Sequence, residues 1–304
     1  MYDTIVIGSG PAGLAAAIYG TRAKLNMAVL EQNYMSGGQV TSTYEVDNYP
    51  GLPGINGMDM GMKFREHAEK LGASFIRTKV LKIEADGEGN YLVTGEKETY
   101  HTKTVILATG AHHRKLEVPG EAELTGMGVS YCATCDGAFY KDCDVAVVGG
   151  GDVAVEDAIF LARGCRKVYV IHRRDELRAA KVLQETLLSL PNVEMVWDSV
   201  VERIEGEDEV NGVLVYNKKT EKKETLKVDG VFVAVGTVPE SSLVKGLVEM
   251  DGSGAVVADE TGVTSAPGLF VAGDARTKQL RQIITAASDG ANVITSVERY
   301  LIQR

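Results

Sequence analysis

Thr4 to Glu31 reads TIVIGSGPAGLAAAIYGTRAKLNMAVLE, and Val145 to His172 reads VAVVGGGDVAVEDAIFLARGCRKVYVIH; a shift of 141 positions lays one over the other without a gap. In each, a short apolar run ends in Gly-x-Gly, an alanine-rich stretch follows, and a second apolar run closes the unit. That order predicts strand, glycine turn, helix, strand, a βαβ element. The turns are Gly8-Ser9-Gly10-Pro11-Ala12-Gly13 and Gly149-Gly150-Gly151-Asp152-Val153-Ala154. The first glycine permits the turn, the second lets backbone approach a pyrophosphate, and the small last residue lets helix pack on strand. Free N–H groups and the positive end of the helix dipole then favour phosphate. One such turn is weak as a signal. Two in register, each inside its own βαβ element, point to an α/β protein with two Rossmann-like dinucleotide-binding domains.

The ends of the second strands separate the two ligands. Glu31 lies eighteen residues after Gly13, where a carboxylate accepts hydrogen bonds from both hydroxyls of an adenosine ribose. His172 holds the same offset after Ala154 and is followed by Arg173, Arg174 and Arg178. An acid repels a 2′-phosphate, whereas guanidinium groups bind it through charge-assisted hydrogen bonds. The first site is therefore expected to take an adenine dinucleotide without a 2′-phosphate and the second to take NADPH. Three later apolar runs, Thr104 to Gly110, Val228 to Gly236 and Gly268 to Asp274, end in glycine or Gly-Asp and suggest that the first nucleotide is FAD. Asp274 at such a strand end suits a ribityl or pyrophosphate oxygen, or else a helix cap. Arg281 to Ala287 is expected to open a helix whose N-terminus faces the electron-rich edge of a flavin.

Between the two glycine turns, just ahead of the second, lies Cys132-Ala-Thr-Cys135-Asp136. Two thiols so spaced can close a small disulfide ring, and the adjacent carboxyl can carry the proton that thiol chemistry needs. The net charge of -10 and pI near 5.1 argue against nucleic acid, which needs clustered Lys and Arg. No apolar run reaches the roughly 20 residues that span a bilayer, and the first strand begins too early to leave room for a signal segment. The expected compartment is the cytoplasm, where a close cysteine pair is catalytic more often than structural.

Taken together, GSGPAG, Gly37-Gly38-Gln39, EVDNYPG from Glu45 to Gly51, CATCDG from Cys132, GGGD from Gly149, HRRDELRA from His172 and GDARTKQLRQIITAASDGA from Gly273 to Ala291 make the chain resemble the low-molecular-weight thioredoxin reductases of bacteria. The resemblance covers essentially the whole length. It implies an FAD domain formed by residues 1–117 and 243–304, with an NADPH domain, 118–242, inserted between them and carrying the redox disulfide. It also implies a homodimer with no metal, and a large domain rotation that presents first the disulfide and then the nicotinamide to one flavin. Gly38, Gln39 and Asn48 would fall near that flavin, and Asp274, Arg281, Gln282 and Ile283 would match flavin-contacting positions. Electrons would pass from NADPH through FAD to the Cys132–Cys135 disulfide and on to thioredoxin. Cys135 is the expected flavin-facing sulfur and Asp136 the proton carrier, with a carboxyl pKa raised by burial or nearby negative charge.

Some features fit less simply. Val153 stands where the family commonly has Ser or Thr, so one pyrophosphate contact is missing. Phe139, Tyr140 and Lys141 are candidates for partner docking or for plain packing. Cys143 and Cys165 could join the redox pair in a zinc site, but they are expected at opposite ends of the βαβ element, as buried inert thiols. Another thiol protein or a small disulfide is the alternative acceptor; reductases coupled directly to peroxiredoxin carry an N-terminal thiol extension, which is not expected here. Glu202 to Glu209 is expected as a solvated turn, Lys218 to Glu224 as a hairpin tip, and His112-His113 as hinge surface.

Overall fold

A computed structural model describes residues 1–304 except Tyr44 and Asp47, so Asp47 of the Glu45–Gly51 motif lies outside the described residues. The chain forms two compact units, Met1–His112 with Val238–Arg304, and His113–Thr237. The second unit therefore begins and ends five residues earlier than the expected boundaries. The reason is local: immediately after residue 113, Arg114 N–H donates to Gly236 O at 2.9 Å, and Glu121 binds the N–H groups of Leu116 and Glu117 at 2.8 and 2.7 Å.

The first unit opens with β1 (Tyr2–Ile7), α1 (Pro11–Arg22), β2 (Met27–Glu31), α2 (Gly57–Lys70), β3 (Ser74–Arg77), β4 (Val80–Ala85), β5 (Tyr91–Gly95), β6 (Thr99–Leu107) and β7 (Ala111–His113). The second contributes β8 (Val129–Ser130), α3 (Ala133–Asp136), β9 (Asp144–Gly149), α4 (Asp152–Leu161), β10 (Lys167–Ile171), α5 (Lys181–Leu188), β11 (Val193–Val196), β12 (Ser199–Gly206), β13 (Val210–Asn217), β14 (Lys223–Leu226) and β15 (Gly230–Ala234). After β16 (Thr237–Pro239), which pairs with β7, the first unit is completed by β17 (Leu269–Val271) and α6 (Ile283–Gln303).

In the first unit the strand order is β3-β2-β1-β6-β5-β4, and β17 joins β6 in parallel beyond the end of β5. The second unit has a parallel sheet, β11-β10-β9-β15-β8, and an antiparallel sheet, β12-β13-β14. The internal repeat reappears in the register: Thr4 pairs with Met27 in one unit and Val145 with Val168 in the other, the same shift of 141. Both copies of this first strand are buried on both faces, as parallel strands covered by helices must be. Within the first unit α1 and α6 cross closely, since a Cβ on Gly290 would stand 2.1 Å from Ala12 O.

Two expectations about the second unit need correction. Glu202 to Gly206 is part of β12, paired with β13, and the solvated turn shrinks to residues 207–209, because the valine and isoleucine at positions 201 and 204 draw the segment onto the core. Cys143 and Cys165 lie at the same end of the βαβ element, where Arg166 N–H donates to Cys143 O at 2.8 Å. A helix returning antiparallel to its strand ends where that strand began. Burial pushes both thiols up, Cys165 to about 11, which suits inert cysteines.

Candidate active site

In the first unit, four motifs far apart in sequence meet at the start of α1. Gly10 is the N-cap, extended and without a side chain to cap the first turn, and Pro11 takes the first helical position, where its missing N–H costs nothing. Gly8 has φ +100°, and a Cβ on Gly13 would stand 1.9 Å from Gly8 O, so both glycines are required by the turn itself. Glu31 accepts from Ser9 N at 2.9 Å, Ser9 Oγ at 2.7 Å and Asn33 N at 2.8 Å, fixing the glycine turn to the end of β2. Gly37 N–H donates to Ser9 O at 2.8 Å, and Gly38 lies against Gly10. Gln39 donates from Nε2 to Ala111 O, and Asn48 Nδ2 donates to Gln282 Oε1 at 3.0 Å.

The Gly273-Asp274 turn lies against Ala12 of the same helix. Asp274 Oδ1 is buried without a hydrogen bond, and the nearest ammonium, Lys278 Nζ, stands 3.9 Å away. Burial holds the Asp274 carboxyl above its ordinary range against the pull of Lys278 and Arg281. Arg281 Nε is likewise buried and unpaired. The helix opens at Ile283, two residues later than expected from Arg281, because Gln282 caps it reciprocally with Thr285.

The second glycine turn is built alike. Gly151 is the extended N-cap of α4 with open space where a Cβ would be, and Ala154 is buried against Gly149. The loop after β10 folds back over it: Arg178 N–H donates to Gly150 O at 2.7 Å and Ala180 N–H to Asp152 Oδ1 at 2.7 Å. Arg173, Arg174 and Arg178 are exposed. His172, expected among the NADPH-binding residues, is buried instead, with its Nε2 lacking a hydrogen-bond partner. Its ring lies beneath Gly150, where a Cβ would stand 2.2 Å from it; the residue is 5% exposed, and burial holds its pKa below the ordinary value. The buried imidazole packs beneath the turn and supports it.

Cys132 and Cys135 are joined by a disulfide with Cα atoms 5.3 Å apart. Cys132 is the N-cap of α3, and its carbonyl accepts from Cys135 N at 3.2 Å and Asp136 N at 3.1 Å. Ala133 is buried in the core while both half-cystines are partly accessible. Burial holds the Asp136 carboxyl above its ordinary range, opposed by a 2.6 Å hydrogen bond from Ser130 Oγ. Phe139 is exposed, but Tyr140 packs edge-on against Phe232 at 5.2 Å and covers Gly230, so it belongs to the core. Among the described residues no group of three or more His, Cys, Asp or Glu is placed to hold a metal, and no helix is long and apolar enough to cross a membrane.

Sequence reading missed three functional-looking residues. Ser130 is buried beside the disulfide. Asp289, 4% exposed, accepts from Gly273 N, Arg276 Nε, Arg276 Nη2 and Lys278 Nζ at 2.7–3.0 Å. Its signal was an acid on the apolar stripe of α6, flanked by Ala286 and Val293. Glu121 accepts from Tyr131 Oη at 3.0 Å, and Tyr131 stacks on His113 at 5.3 Å.

Two βαβ nucleotide folds and a Cys-x-x-Cys disulfide define a class of protein: residues 2–290 match the family model described as Pyridine nucleotide-disulphide oxidoreductase. Within that class, thioredoxin reductase of Peptoclostridium acidaminophilum is 44% identical over 99% of this chain and 97% of its own. That of Listeria monocytogenes is 43% identical over 99% and 94%. The crystal structure of thioredoxin reductase from Streptococcus pyogenes matches with a TM-score of 0.92 at 47% identity, covering 100% of this chain and 99% of that one. The chain belongs to the thioredoxin reductase family.

Proposed function

We propose that the chain catalyses NADPH-driven reduction of a thioredoxin-like protein in the cytoplasm, as a homodimer, with FAD held by the first unit and NADPH by the second. The observation that carries this reading is the Cys132–Cys135 disulfide on a helix beside a partly buried acid, within the unit that also holds the arginine-flanked glycine turn. The first unit fits FAD: Asp274 Oδ1 and Arg281 Nε are buried polar atoms without partners, and such atoms call for a ligand. The open first turn of α1, Gly38, Gln39, Asn48, Gln282 and Ile283 would complete the cradle, with Glu31 at the ribose. Bound there, FAD supplies a two-electron carrier between nicotinamide and disulfide.

The chain's own residues do the rest. Arg173, Arg174 and Arg178 bind the 2′-phosphate of NADPH, while the turn from Gly149 through Ala154 takes its pyrophosphate. Cys135 would be the sulfur that exchanges electrons with the flavin. On the outgoing side, a thiolate of the reduced pair attacks one sulfur of the partner's disulfide and breaks that bond. The second thiolate then attacks the mixed disulfide, re-forming Cys132–Cys135 and releasing the partner as a dithiol. Asp136 holds a proton at its carboxyl and gives it to one departing thiolate, a task served by a pKa held up by burial, while water protonates the other. In the Cys135→Ser variant, thioredoxin-dependent NADPH oxidation is expected to fall below one-hundredth of wild type, with FAD content and NADP+ binding retained. Turnover surviving in that variant refutes the relay.

A further inference from the structure

We propose that Ser130 is a positioning residue whose one hydroxyl keeps both protonation states of Asp136 hydrogen-bonded, so that the carboxyl beside the disulfide loads and releases a proton without leaving a buried polar group unpaired. The inference rests on the reading of Asp136 as proton carrier given above. Ser130, at the end of β8, is 5% exposed. Its Oγ accepts from Cys132 N–H at 3.1 Å and stands 2.6 Å from Asp136 Oδ2 and 3.4 Å from Cys132 O. With Asp136 ionised, the hydroxyl hydrogen points to the carboxylate. With Asp136 protonated, the carboxyl O–H donates to Oγ, and the serine hydrogen turns to Cys132 O. In both states Oγ keeps the bond from Cys132 N–H, so the start of α3 does not move as the proton comes and goes. A hydroxyl suits this exchange because it donates one hydrogen and accepts two; alanine does neither.

The surroundings leave this task to the hydroxyl. Burial is the largest influence on Asp136 and Ser130 the one that opposes it. Tyr140, in the turn after α3, is pushed up to about 12 by burial first and the Asp136 charge second, and stays neutral. On α4, packed on the same side through Phe160 and Leu161 against Gly137, the charged groups are Asp152, Glu156 and Asp157. All three are acids, and none supplies a cation to stabilise the Asp136 carboxylate.

The test uses the full-length FAD-loaded protein with 13C-labelled aspartate carboxyls, following the Asp136 resonance by NMR as pH is varied and assigning it by Asp136→Asn. Neither NADPH nor thioredoxin is present, so the outcome is independent of the overall reaction. Ser130→Ala is expected to raise the Asp136 midpoint by about one pH unit, the difference between a hydrogen bond to the carboxylate and the weaker one to the neutral carboxyl. Ser130→Thr, which keeps the hydroxyl, is expected to return it. If Ser130→Ala does not fold, Ser130→Gly against Ser130→Thr makes the same comparison. An unmoved midpoint in the hydroxyl-free variant overturns the proposal. If the midpoint moves but the pH profile of thioredoxin-dependent turnover, taken in a separate assay with both substrates, does not, the role given to Asp136 is overturned and the hydrogen-bond exchange stands.

Discussion

Val153 leaves the second glycine turn without a hydroxyl, and at 62% exposure in the first turn of α4 it faces outward with room for one. Val153→Thr keeps the shape of the side chain and adds an O–H for a phosphate oxygen. A hydrogen bond to a charged group is worth roughly 1.5–3 kcal/mol, so the Kd for NADP+ is expected to fall roughly tenfold or more. Equilibrium titration of both variants at one ionic strength decides it; equal constants mean that the side chain does not reach the phosphate. Further along the same helix, Asp157 is held up to about 7, by burial first and the Glu156 charge second. In the unfolded chain this carboxyl ionises near 3.8. The folded state keeps the proton to about 7, so its stability relative to the unfolded chain declines as pH climbs between those values, and the cost is complete above 7. Asp157→Asn is therefore expected to raise the melting temperature at pH 8 and to leave it nearly unchanged at pH 4. Equal shifts at both pH values would show that the carboxyl's charge is not the cause.

At the scale of elements, α6 carries the heaviest polar duty. Asp289 on its buried side holds Arg276, Lys278 and the Gly273 N–H together. Breaking a buried pair leaves uncompensated charge, so Asp289→Asn is expected to cost on the order of 3 kcal/mol. Denaturant unfolding of the protein measures it, and a loss under about 0.5 kcal/mol, the range of ordinary surface substitutions, would mean that water replaces the pairing. This network shows the limit of what the chain reveals when read in one dimension. The βαβ elements were legible because strand, turn and helix are neighbours in sequence and each imposes its own residue pattern. The Cys-x-x-Cys-Asp site was legible because its chemistry sits within five consecutive residues. Asp289 with Arg276, Ser130 with Asp136, and His172 beneath Gly150 are products of packing. Whether an imidazole faces solvent or lies under a glycine depends on the loop that covers it, and no local pattern specifies that.

The molecule as a whole has two separate sets of cores. One set is built from the strands around β1 together with α1 and α6, the other from those around β9 with α4. Each is large enough to unfold as its own cooperative unit. Scanning calorimetry is expected to resolve two transitions, with FAD removal lowering one and NADP+ raising the other, since a ligand stabilises only the unit that binds it. A single transition that both ligands move equally would contradict this. The close crossing of α1 and α6 has a consequence for biosynthesis. Ala12 and Ala16 are made before the second unit, yet Gly290 and Val293, which cover them, follow only after all of it. At about 5–20 residues per second, translation from residue 113 to the end of α6 takes roughly 10–40 s. When the second unit is complete at residue 237, the apolar face of α1 still has nothing to cover it, and it stays bare until α6 leaves the ribosome, the stage at which a chaperone shielding that face would act.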